Sequence, residues 1–263
     1  MELMLVKHRD APKLNRPVMI EGLPGVGNVG KLAGEHLVEE LKAVHFADIY
    51  SKHFPPQVMV DDEGLAQMVS NKLYYHKREK PGKGMPGWGD RDILLLVGDF
   101  QGITPDGQYD ICYEVMKLAS DMGVEKVFTM GGYGLGRMVD EPRVLGAASS
   151  IDILEEMKDQ DIVFGGGEQP GSGIVGASGL LLGMAPLFSM EGICFMGETS
   201  GYFVDPKSSE AVLRVMSSIL GLDIDLSALE TRAREIEAIT AKLQDMDMPD
   251  EEQESDDTLR YIG

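Results

Sequence analysis

The chain has 263 residues, with 24 Lys and Arg against 44 Asp and Glu and a formal net charge of −20. That length can bury one substantial α/β core. The charge opposes phosphate backbones and anionic bilayers, so neither nucleic acid nor a membrane surface is an expected partner.

The N-terminal MELMLVKHRD lacks the basic start and long apolar run of a signal peptide. The first strand-like run, 17–21, leads into EGLPGVGNVGKL, which contains both Gly25-x-Gly27-x-x-Gly30 and Gly25-x-x-x-x-Gly30-Lys31. The first spacing belongs to dinucleotide-binding turns, and Asp48, 23 residues after Gly25, suits the ribose-binding acid of that motif. The second fails as a phosphate loop, because Leu32 stands where Ser or Thr should reach Mg²⁺. We read 24–28 chiefly as a structural turn into a helix over about 27–41, with Asn28 as a cap.

Segment 71–92 is basic, glycine-rich and contains Trp88, which predicts a hairpin or extended loop projecting from a sheet edge. Trp88 either packs the loop onto its own domain or anchors a partner. Buried-strand runs recur at 92–98, 126–130, 161–164 and 192–197. Helical patterns lie between them, the clearest opening at Thr104-Pro105 and stopping at Gly123. This alternation predicts a mostly parallel sheet with helices on its faces.

The uncharged stretch 173–190 is too rich in glycine to span a bilayer, and Pro186 divides it into a short buried helix and a following strand. Several strands end in glycine-rich segments that could meet at the carboxyl rim of the sheet, together with Asp99 and Glu198. That rim, lined by Gly25, Gly27, Asn28, Gly30, Asp99 and Glu198, is a candidate small-ligand site; its glycines also serve ordinary turns, and its carboxylates suit capping of loop amides.

Beyond Gly221 an amphipathic helix with a stripe at Leu229, Ala233, Ile236 and Leu243 either lies on its own domain or pairs with another subunit. Residues 247–257 hold seven acids and are expected to be disordered and solvated. The tip TLRYIG then restores Leu259, Tyr261, Ile262 and Gly263, the plan of a tethered docking peptide or of a tail folding back. The expected organisation is therefore a domain over 1–222, a helix over 223–246 and an acidic tail over 247–263.

No catalytic constellation is complete. His8, His36, His45, His53 and His76 are dispersed, and His36 with Glu39 or Glu40 reads as a helix-surface pair, so no metal site is expected. Ser178 in VGASGL lacks the second glycine of a nucleophile elbow. Cys112, on a helical stripe with Ile111, Val115 and Ala119, and Cys194, within strand 192–196, read as core residues in a reducing cytoplasm.

Taken together, EGLPGVGNVGKLAGEHLVEEL, HFPPQV at 53–58, GETSGYFVDPKSSEAVLRVMSSILGLDIDLSALE and the terminal LRYIG resemble the PAC2 family, in particular its archaeal proteasome assembly chaperone homologues. The resemblance covers nearly the whole chain. It implies a three-layer α/β/α sandwich related to the nucleoside phosphorylases, homo-oligomerisation, no cofactor, and ATP-independent assistance to assembly of 20S proteasome subunits. It also implies docking of a C-terminal hydrophobic-Tyr-any motif between proteasome α subunits. In this chain Tyr261 is antepenultimate, one residue out of that register. The alternative is a nucleotide-dependent enzyme, such as a carboxylate-amine ligase, using the Gly25–Gly30 loop.

Overall fold

The computed structural model describes residues 3–80, 82–165 and 173–246. The acidic segment and Leu259, Tyr261, Ile262 and Gly263 lie outside the described residues, as does most of the glycine-rich stretch 165–173.

In chain order the elements are strands β1 (Leu3–Lys7) and β2 (Val18–Gly22), helix α1 (Val29–Glu40), strands β3 (Val44–Ser51), β4 (Val58–Val60), β5 (Ala66–Met68), β6 (Asn71–His76) and β7 (Ile93–Gly98). Helix α2 (Pro105–Asp121), strands β8 (Lys126–Gly134) and β9 (Val144–Ala148), helix α3 (Ile151–Met157) and strand β10 (Val163–Phe164) come next. Helix α4 (Ala177–Met184), strand β11 (Glu191–Thr199) and helices α5 (Pro206–Leu220) and α6 (Ser227–Met246) complete the described chain.

Nine strands form one sheet in the order β1-β3-β6-β7-β2-β8-β11-β9-β10, and β4 and β5 pair as a separate hairpin. The centre, β7-β2-β8-β11, is parallel throughout. Antiparallel pairings flank it: β6 with β7, β3 with β6 and β1 with β3 on one side, β9 with β11 on the other. Strand alternation feeds two separate cores. Val18, Ile20, Ile93, Leu95, Phe128, Ile193 and Phe195 face α1, α3 and α5, while Met19, Leu94, Leu96 and Val127 face α2 and α4. The molecule is thus the three-layer α/β/α sandwich expected, with a parallel core.

Local signals explain the helix limits. Thr104 Oγ1 accepts from Gly107 N at 3.1 Å ahead of Pro105, and the chain leaves α2 through left-handed Gly123. Asp205 Oδ1 caps Ser208 N at 2.9 Å ahead of Pro206, and Gly221 closes α5 at φ 60°. The helix expected within 173–190 is the partly buried α4, but Pro186 lies in a 3₁₀ turn over Ala185–Phe188 where a strand was expected, and β11 begins only at Glu191.

Segment 71–92 departs from expectation. Asn71–His76 is strand β6, lying inside the sheet between β3 and β7, and the loop that follows folds down over the domain. Its polar residues hid the strand, because β6 is antiparallel to both neighbours and only partly buried. The loop clamps the end of α5: Arg78 donates to Leu220 O and Gly221 O at 2.5 and 3.0 Å, and Met85 N to Ile219 O at 2.9 Å. Trp88 is 1% exposed, packs on Phe128 with ring centroids 5.4 Å apart, and donates from Nε1 to Glu156 at 2.6 Å. Lys126 Nζ lies 4.2 Å above the indole.

Helix α6 begins on its own domain. Leu229 and Ala233 are buried, and Glu230 meets Arg214 of α5 at 3.2 Å. Cys112 and Cys194 are buried, and burial pushes both thiols up to about 12, which fits core residues.

Replacing Trp88 with Ala removes an indole from the β8–α3 core together with its hydrogen bond to Glu156. We expect a loss of about 3–5 kcal/mol, measured by urea unfolding followed by far-UV circular dichroism.

Candidate functional site at the carboxyl rim of the sheet

The parallel strands end on one rim, where β2 passes through Leu23 to Gly25 into a 3₁₀ turn at Val26–Asn28 and then α1. Gly27 (φ 62°) and Asn28 (φ 51°) are left-handed in succession, which reverses the chain. Asn28 occupies the N-cap position but makes no side-chain cap bond, contrary to the role expected of it; its amide instead closes the preceding turn by donating to Gly25 O at 3.0 Å. A Cβ at Gly30 would lie 2.2 Å from Met130 O, so only glycine lets α1 rest on β8. Gly25 is extended and has open space beside it. The motif is therefore filled largely by turn and packing requirements.

The other rim residues are engaged by backbone and arginine partners. Asp99 and Ser70 exchange two bonds at 3.1 Å, the Ser70 amide donating to Asp99 Oδ2 and the Asp99 amide to Ser70 O. Glu198 accepts from Arg143 N at 3.2 Å and from Arg143 Nε at 2.9 Å, with a further contact from Nη2. These hydrogen bonds hold the Glu198 carboxyl below its ordinary value. Gln101 ties the rim together: Nε2 donates to Pro24 O at 2.6 Å and Oε1 accepts from Ala177 N at 2.8 Å.

The group that sequence reasoning missed is Glu21. It is fully buried at the end of β2, with Oε1 accepting from Leu23 N at 2.9 Å and Oε2 from Ser178 Oγ at 3.0 Å. Burial raises its pKa from 4.5 to about 7, against the opposing pull of the Leu23 amide, the Ser178 hydroxyl and the Met130 amide. A charge directly after the apolar run Val18-Met19-Ile20 was the available signal. Ser178 thus pairs with a carboxyl, the arrangement of a buried polar contact.

Two histidine expectations are corrected. His36 is buried, with Nε2 2.7 Å from Asp225 O, because α1 turns that face toward the start of α6. His8 and His45 are not dispersed: antiparallel pairing of β1 with β3 brings both to Asp48, at 2.7 and 2.8 Å. Asp48 is accordingly committed to imidazoles at the β1 edge, a place unlike the ribose-binding acid considered above.

A mixed sheet with a parallel centre, two helical layers and a rim of glycine turns defines the class of the protein as a three-layer α/β/α sandwich. The chain belongs to the PAC2 family, whose profile matches residues 19–244. Uncharacterized protein MJ1210 of Methanocaldococcus jannaschii is 36% identical over 262 residues, 98% of this chain and 96% of that one. Among solved structures, Pyrococcus furiosus PbaB, an archaeal proteasome activator, is 38% identical with a TM-score of 0.84, covering 92% of this chain and 99% of its own. Pyrococcus furiosus PbaA, an archaeal homolog of proteasome-assembly chaperone, shares the fold at 24% identity and TM-score 0.74, covering 94% of this chain and 93% of its own. Among the described residues no helix is long and apolar enough to cross a membrane.

In the unfolded chain Glu21 titrates near 4.5, so between about 4.5 and 7 the folded protein holds a proton that the unfolded chain has lost. Stability from this group is full below about 4.5 and is lost as pH rises through about 7. The loss is on the order of 3 kcal/mol, at about 1.4 kcal/mol per unit. Glu21→Gln should flatten this slope, as read from urea midpoints at pH 5 and pH 8.

Proposed function

We propose that the protein is an ATP-independent, non-catalytic factor of the cytoplasm that assists assembly of 20S proteasome subunits. It works as a homo-oligomer and engages the α ring through its oligomer surface and residues 258–263. The observation that carries this reading is the end-to-end likeness to PbaB within the PAC2 family. The likeness to PbaA adds support at the level of fold.

The β4–β5 hairpin supports a binding surface. Val58, Met59, Val60, Leu65 and Met68 are all about half exposed or more. A lone two-stranded ribbon is marginal in water, and one presenting this much apolar side chain is best satisfied by a partner surface. We assign it to self-association. The tail segment brings Leu259, Tyr261, Ile262 and Gly263 beyond seven acids, so apolar anchors follow a charged tether. In this reading residues 1–222 form the body, 223–246 the connecting helix and 247–263 the docking arm.

Two other readings have an observation each. PbaB is a proteasome activator, which favours action on the finished particle. The buried Glu21 beside the rim of Gly25, Gly27, Asn28, Gly30, Asp99 and Glu198 favours a small-ligand site, since strongly shifted acids gather where ligands bind.

Co-sedimentation of the full chain with proteasome α subunits should give a shared boundary, and a chain ending at Asp257 should bind at least tenfold more weakly. Undiminished binding by the shortened chain would move the contact to the folded body. A higher yield of 20S particles from separate α and β subunits marks assembly, whereas faster peptide hydrolysis by preformed particles marks activation. Saturable binding of ATP or NAD that Gly27→Val abolishes would instead establish the rim as a nucleotide site.

A further inference from the structure

At the β1 edge of the sheet three side chains converge, His8 just beyond β1 and His45 and Asp48 from β3. His8 Nε2 lies 2.7 Å from Asp48 Oδ2, and His45 Nε2 lies 2.8 Å from Asp48 Oδ1. The two imidazoles are adjacent, with ring centroids 4.7 Å apart, and one potential ligand atom from each of the three residues falls within 4.8 Å of the others.

The backbone is shaped to produce this cluster. On a regular strand His45 would share a face with Ala47 and Ile49 and point away from Asp48. The β3–β6 register shifts between His45 and Ala47. Phe46 consequently joins Ala47 and Ile49 in the apolar core, and His45 rotates onto the face of Asp48. Such a bulge re-aims a side chain at the expense of ladder regularity. His8 is delivered by the continuation of β1, its amide donating to Phe46 O at 3.0 Å.

We propose that His8, His45 and Asp48 form a three-ligand site for a late first-row divalent cation such as Zn²⁺, which clips edge strand β1 onto β3. Two imidazoles and one carboxylate suit Zn²⁺, Ni²⁺, Cu²⁺ or Fe²⁺ and are a poor set for Mg²⁺ or Ca²⁺, which demand oxygen ligands. Ligands at about 2.0–2.2 Å around a tetrahedral ion lie roughly 3.3 Å apart, so the two His–Asp gaps must open by about half an ångström. The half-exposed imidazoles of His8 and His45 have the freedom to do so, while the Asp48 side chain is only 11% exposed and stays fixed. A cation bound here takes the Nε2 lone pair of each imidazole, so each ring carries its proton on Nδ1 in the bound state. Outer contacts are present: Tyr50 Oη lies 3.4 Å from Asp48 Oδ2, and the Tyr74 ring packs 4.9 Å from His45. The exposed side offers an entry path and a remaining coordination position for water.

The test titrates the chelator-treated full chain with Co²⁺, following its visible d–d absorption, then displaces it with Zn²⁺. We expect one ion per chain. The apparent affinity should fall at least tenfold in His8→Asn and in His45→Asn, and remain unchanged in His53→Asn, which lies outside the cluster. Zn²⁺ should raise the melting temperature of the unaltered chain and of His53→Asn alone. A readout needing no variant is the imidazole ¹H–¹⁵N spectrum of the unaltered chain, in which the His8 and His45 signals should be those that shift with Zn²⁺. Absence of stoichiometric binding, equal binding by the His8 and His45 variants, or shifts confined to other histidines would overturn the proposal.

Discussion

The contact between α1 and the centre of the sheet is closer than side chains permit, and much of the architecture depends on it. A Cβ at Gly34 would lie 3.0 Å from the Cα of Gly22 and 2.8 Å from Val97 Cγ1, and one at Gly30 would collide with Met130 O. Backbone meets backbone along one line from β2 to α1 and across to β8. The seating of α1 then places Val29, Ala33 and Leu37 in the core shared with α5. Helix α5 in turn receives the start of α6 on one side and the Arg78–Trp88 loop on the other. A methyl group on this line would lever α1 outward and loosen each of these contacts, since packed interiors have little slack.

The same constraint explains the rim. A turn fully occupied by reversing the chain and seating a helix has few free amides to offer a ligand. Its polar neighbours are drawn into fixed bonds by Gln101, Ser70 and Arg143. What stands out is Glu21, a carboxyl with no cationic partner in its hydrogen bonds, which burial keeps protonated to near neutral pH beside a serine hydroxyl. Many exposed apolar side chains lie elsewhere, on the hairpin that stands apart from the main sheet.

The parallel centre was legible in the sequence for a physical reason: strands covered on both faces must be apolar at nearly every position, as in Ile93–Gly98. Caps and breakers such as Thr104-Pro105 and Gly123 made α2 equally plain. Of the flanking strands, β1 and β6 were not legible. Asn71–His76 mixes Lys72 and His76 with Leu73 and Tyr74 and shows no sustained apolar run, while the apolar run in Leu3–Lys7 is short and lies at a sheet edge. Strand β10 was foreseen but shrinks to Val163–Phe164. The glycine rim was visible as spacing, yet spacing does not say whether a glycine faces a ligand or a carbonyl. Glu21 left a visible mark in its apolar run. The meeting of His8 with His45 left none, because it depends on strand partnership and a one-residue bulge.

Trp88 carries a consequence for how the molecule can be observed. It is the sole tryptophan in the chain, enclosed by Phe128 and sandwiched near the ammonium of Lys126. Its near-ultraviolet emission therefore reports one place: the junction of the 77–92 loop with β8 and α3. Release of that loop would expose the indole to water and move its emission to longer wavelength. Events at the β1 edge or on the β4–β5 hairpin would leave the colour unchanged. The protein thus carries an intrinsic optical probe that separates loosening of its core from changes at the β1 edge and the β4–β5 hairpin.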